Sequence, residues 1–132
     1  MRVLSLTLLA LSALLPDTAF AQRTGPHDGV YVGHRVQECR RTGRSGRQLL
    51  AAEVHGATMT IPGLPGDPPL EATIGPNAAV SLPRIGTFGP GEGQIFEGPN
   101  NARRFTGSHP GRGGDCSLVY DLIRQRPGGG RR

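Results

Sequence analysis

Cys39 and Cys116 are the only cysteines in the chain, and they bracket most of its patterned sequence. A bond between them ties the first strand-like run to the last, so whatever folds between them must bring its two ends together. Alternation supports the pairing. In a strand every second residue points the same way, which puts Cys116, Leu118, Tyr120 and Leu122 on one face of the closing run. The same count puts Tyr31, Gly33 and Cys39 on one face of the opening run. Each cysteine thus shares a face with a tyrosine, as a bond inside or at the rim of a core requires.

An even pair without a Cys-x-x-Cys reads as a structural bond rather than a redox or metal site. Such bonds belong to oxidising compartments, and the N-terminus agrees. Arg2, the apolar run Val3 to Leu15 and the small-x-small Ala19-Phe20-Ala21 predict a signal peptide over 1–21. That run falls short of the roughly 20 apolar residues that cross a bilayer. No second apolar run follows. The expectation is an exported monomer, periplasmic or secreted, with no integral membrane segment after cleavage. About 110 residues then remain, which is one small domain. They divide into a polar lead-in over 22–27, a domain over 28–124 and a basic tail over 125–132 expected to be disordered.

Within the domain, short apolar runs alternate with Gly/Pro stretches. Strands are expected over Gly29–Cys39, Leu49–His55, Thr58–Ile61, Leu70–Ile74 and Ala79–Leu82 with Ile85. Three more are expected around Phe96-Glu97-Gly98, around Phe105-Thr106-Gly107 and over Asp115–Arg124. Leu49 to Glu53 also suits the start of a helical turn, but the run is short and ends at Gly56. Arg40 to Arg47 and Gly86 to Gly93 read as loops, and Pro62 to Pro69 as a rigid one that no sheet interior accommodates. Phe96 and Phe105 stand at a spacing that suits a hairpin with a four- or five-residue turn. The fold class predicted is all-β: a small antiparallel meander barrel of about eight short strands closed by one disulfide, with a β-sandwich as the alternative.

Tyr31-Val32-Gly33, Phe96-Glu97-Gly98 and Phe105-Thr106-Gly107 repeat an aromatic-x-Gly form. Glycine lets a curved sheet bend, and a neighbouring aromatic covers the gap. Three copies suggest coiling into a barrel, although glycine is abundant throughout.

With Asp28 to Gly33, Cys39, Phe105-Thr106-Gly107, Cys116 and Leu122-x-Arg124, the chain resembles small exported bacterial proteins with one cysteine pair and uncharacterised function. That resemblance implies a small β-barrel in a Gram-negative envelope or outside it. A weaker similarity is to calycins such as lipocalins, with Gly29-Val30-Tyr31 in place of their Gly-x-Trp and Arg124 in place of their closing arginine.

The chemistry-bearing residues are sparse. Ser108-His109 with Asp115 is the one local Ser, His and Asp set, but it reads as part of a Gly/Pro loop and lacks a nucleophile elbow. Ser45 has no base beside it. His34 and Glu38 lie about 13 Å apart along one strand, too far for one ion. Glu53 and His55, even with His27 or His34, fall short of a zinc site with its supporting shell. Gly89 to Gly93 lacks the Lys-Ser/Thr of a phosphate loop. No catalytic residue, metal site or cofactor is expected.

All fifteen basic residues are arginine and the net charge is +5. This permits anionic partners, whereas the absence of a recognition-helix pattern argues against nucleic acid. The expected function is that of a non-enzymatic binding module for an unknown small ligand. That ligand is expected to be apolar and to sit in the barrel among Tyr31, Phe88, Phe96, Phe105 and Tyr120. The alternative is an envelope protein that binds anionic surface polymers through its arginine-rich loop and tail.

Overall fold

The computed structural model describes residues 25–126, except the side chain of Ser45. The expected signal peptide, the first lead-in residues and the tail beyond Arg126 lie outside the described residues. Eight strands follow in chain order: β1 (Gly29–Cys39), β2 (Gly43–His55), β3 (Thr58–Ile61), β4 (Leu70–Ile74), β5 (Ala79–Leu82), β6 (Gly91–Glu97), β7 (Arg103–Pro110) and β8 (Cys116–Arg124). Each pairs antiparallel with the next, and β1 also pairs with β8, so the sheet closes into a barrel. Closure sets aside the sandwich. Cys39 and Cys116 are direct cross-strand partners at the end of the β1–β8 seam and are joined by a disulfide.

Alternation decides which side chains fill the interior. Met59 and Ile61, Leu70, Ala72 and Ile74, Val80 and Leu82, and Leu118, Tyr120 and Leu122 all face inward and are buried. Their neighbours Glu71, Thr73, Ser81 and Asp121 face solvent.

Three strands are longer than their apolar runs. The stretch 40–47, expected as a loop, is a turn at Arg40–Thr42 followed by the start of β2. Arg35 faces Gln48 and Gln37 faces Ser45, so Val36 alone stands opposite Gly46 and Arg47. This is a β-bulge. Gly46 adopts φ 63°, a left-handed conformation open to glycine without steric cost, and the ladder resumes beyond it. Likewise β6 begins at Gly91, inside the expected loop 86–93, and β7 extends to Pro110. Glycine in these strands marks close approach of two backbones. A Cβ on Gly91 would collide with the carbonyl of Ser108, and one on Gly33 with the carbonyl of Asp121.

Both barrel ends are covered. At the end that holds the disulfide, the β3–β4 and β5–β6 loops meet, with Ile85 buried and Leu64 and Phe88 packed against the core. At the opposite end the N-terminal segment crosses the opening. The Tyr31 hydroxyl donates to the His27 carbonyl at 2.8 Å, and the Gly56 amide donates to Asp28 Oδ1 at 2.7 Å. Arg124 donates to the carbonyls of Pro26, Asp28 and Asn101, joining this segment to the β6–β7 turn.

Candidate functional site

The same alternation that buries the apolar residues also buries Arg35 and His109, at 1% and 0% exposure. Arg35 follows Tyr31 and Gly33 on the inward face of β1. Its Nη1 donates to the Pro62 carbonyl at 2.6 Å, and its Nη2 donates to the Gly63 carbonyl at 3.0 Å and to Gln48 Oε1 at 2.7 Å. The guanidinium carbon lies 5.7 Å from the centroid of the Tyr120 ring, within cation–π range.

Tyr120 continues the cluster to His109, whose Nε2 is 2.9 Å from the phenol oxygen, while Nδ1 is 3.0 Å from the Gly89 carbonyl. A carbonyl only accepts, so Nδ1 carries the proton. In the neutral imidazole Nε2 then accepts from the Tyr120 hydroxyl. Burial holds the His109 pKa below the ordinary histidine value. The Gly89 bond opposes that shift, and the Arg35 charge adds to it. Burial also raises the Tyr120 phenol, with Arg35 pulling the other way. The two loops that cover this end are therefore each anchored to the interior by backbone carbonyls, one on Arg35 and the other on His109.

A second constellation lies outside. The disulfide pairs the turns Arg40–Thr42 and Arg112–Gly114, with the Arg40 amide donating to the Asp115 carbonyl at 2.9 Å. Arg40, Arg41, Arg44 and Arg112 are all exposed at this corner, where the acidic residues are Glu38 and Asp115. Glu38 is taken up by Arg44 at 2.8 Å. Down the wall from this corner, a groove of about 520 Å³ runs beside the bulge, lined by His34, Val36, Arg44, Arg47, Val119 and Asp121 among others. Arg47 Nη2 lies 3.3 Å from His34 Nδ1. Arg104 grips Asp121 with two bonds, 2.8 and 2.6 Å, which hold that carboxyl below its usual pKa.

The five aromatic residues expected to line a ligand site are dispersed. Phe105 and Tyr120 meet in the interior with ring centroids 5.9 Å apart. Tyr31 is buried near the N-terminal cover, Phe88 is half-buried at the opposite end, and Phe96 faces outward at 52% exposure. Ser108 and His109 are not in an exposed loop. They are consecutive residues of β7, so Ser108 faces out while His109 faces in, and no Ser–His pair forms. Glu53 and His55 are exposed, and no group of three or more metal-ligating side chains occurs among the described residues. Arg124 lies across Gly29, with Cδ 3.0 Å from where a Cβ would stand, and donates to carbonyls.

Sequence reasoning missed Arg35 and took His109 for a loop residue. Counting by twos from Tyr31 reaches Arg35, which was the available signal. Comparisons with protein-family models, with curated proteins and with solved structures give no match to this chain.

Proposed function

We propose that the chain is an exported, non-enzymatic binding module that works through the outside of its barrel, holding anionic polymers of the cell envelope at its arginine-bearing corner. One observation carries this reading: the disulfide fastens two turns and a strand start side by side, so that Arg40, Arg41, Arg44 and Arg112 share one exposed corner. Asp67 and Glu71, by contrast, belong to the β3–β4 side, while Glu92 shares a surface depression with Ser117 and Val119 of β8. A local excess of one sign attracts an extended polyanion even where the whole chain is only modestly basic.

The disulfide fits a protein that folds in an oxidising compartment. A small apolar ligand in the interior is the less favoured reading. Tyr31, Phe105 and Tyr120 are completely buried, so such a ligand reaches them only if the barrel opens.

Retention of the mature protein on immobilised polygalacturonate, measured against sodium chloride, tests the proposal. Binding is expected to fall steeply between low and physiological salt. Replacing Arg40, Arg41 and Arg112 together by serine is expected to weaken it at least tenfold. Equal retention of the wild type and the triple variant would overturn it.

A further inference from the structure

The described residues form three ion pairs: Arg44–Glu38, Arg103–Glu97 and Arg104–Asp121. Arg35, the most deeply buried of the described arginines, is in none of them. Its hydrogen bonding is satisfied, since no buried side-chain nitrogen or oxygen among the described residues lacks a partner. Its charge is not. Charges inside proteins are ordinarily matched by an opposite charge, because neutral acceptors recover only part of the hydration that burial removes.

The neutral acceptors have a particular shape. Pro62 and Gly63 are consecutive, and their two carbonyl oxygens engage Nη1 and Nη2 of one guanidinium. Two parallel acceptors on the two terminal nitrogens is the fork by which arginine holds a carboxylate. We propose that Arg35 is a carboxylate-binding site, and that the Pro62–Gly63 carbonyls occupy it in this closed form of the barrel. A small monocarboxylate supplies both oxygens and the missing charge together, and the two carbonyls it displaces turn out to water. Gln48 remains as a third acceptor on Nη2.

Opening the site requires the β3–β4 loop, begun by Pro62 and Gly63 and held by the Asp67 amide on the Leu64 carbonyl at 2.8 Å, to lift Leu64 from the core. Leu64 and Phe88 would line the way in.

The test is thermal melting of the mature protein at fixed ionic strength and pH 7.5, with sodium chloride replaced stepwise by sodium acetate. Wild type is compared with Arg35→Met and Gln48→Glu. Gln48→Glu places a permanent carboxylate on the same guanidinium, so it removes the need for an external one without removing the arginine. A general salt effect moves all three proteins alike. The expected result is a wild-type rise about 5 °C greater than in either variant, with faster hydrogen exchange at the Asp67 amide in acetate. If Arg35→Met does not fold, the comparison with Gln48→Glu alone decides. An acetate response shared equally by wild type and Gln48→Glu overturns the proposal. A butyrate and hexanoate arm separates the sources of the carboxylate. A response that grows with chain length identifies one carried on an apolar chain beside Leu64 and Phe88, and a constant response identifies a free small anion.

Discussion

Gly93 and Gly107 face each other directly across β6 and β7, and the ring of Phe105 covers both. A Cβ on Gly107 would stand 2.8 Å from Phe105 Cζ, so the absent side chains make the space that the aromatic fills. Phe105→Ala is expected to lower stability by about 4 kcal/mol through the cavity it leaves. Gly107→Ala is expected to cost about 2 kcal/mol by overpacking. Because both changes act on one space, the double variant should cost clearly less than the sum, measured by urea denaturation as a double-mutant cycle.

Removing the bond that links β1 to β8 releases the unfolded chain rather than the folded one. For a separation of 77 residues the loop-closure model gives about 4 kcal/mol. Cys39→Ser with Cys116→Ser should therefore lower the melting temperature by about 15 °C or more. Reductant should lower the wild type equally and leave the double variant unmoved.

The neutral His109 makes stability depend on pH. Its folded pKa lies below the ordinary value of 6.5, so the unfolded chain takes up the proton first as pH falls. The contribution is full above pH 6.5 and is lost progressively below it, at up to about 1.4 kcal/mol per pH unit. His27, lowered by burial and by Arg103 and Arg124, acts in the same direction. Melting curves from pH 7.5 to 5 should show this fall, and His109→Gln should remove about one proton from the slope while leaving the His27 part.

On the outer wall the Arg104–Asp121 pair is well aligned but exposed. Such pairs contribute about 0–1 kcal/mol and are screened by salt. Asp121→Asn should therefore cost less than about 1 kcal/mol, with the difference from wild type shrinking in 1 M sodium chloride. The Asp121 carboxyl is held below its usual pKa by Arg104, so its contribution is present above pH 4 and lost as pH falls further.

How much of this was legible depended on whether a residue's type agreed with its position. Cys39, Cys116, Tyr31 and Tyr120 are residues whose side chains suit an interior, and alternation placed them correctly. Arg35 obeys the same alternation, yet an arginine in a chain with fourteen others reads as solvent-facing until the carbonyls of Pro62 and Gly63 are seen around it. His109 was hidden by its neighbours, since Ser108, Pro110 and Gly111 look like a turn. The start of β2 was hidden because glycine at position 46 serves a bulge inside a ladder, and nothing local separates that use from a loop. The hairpin joining Phe96 to Phe105 was legible because Gly98, Pro99, Asn100 and Asn101 carry turn chemistry of their own.

The seam between β1 and β8 also sets an order of events. A ribosome makes β1 first and β8 last, and β8 alone occupies the free side of β1. Until residues 116–124 arrive, every intermediate sheet carries two unpaired edges, each able to recruit a strand from another molecule. Seven-eighths of this barrel is therefore no more protected from self-association than a single hairpin, and protection comes all at once with the last strand.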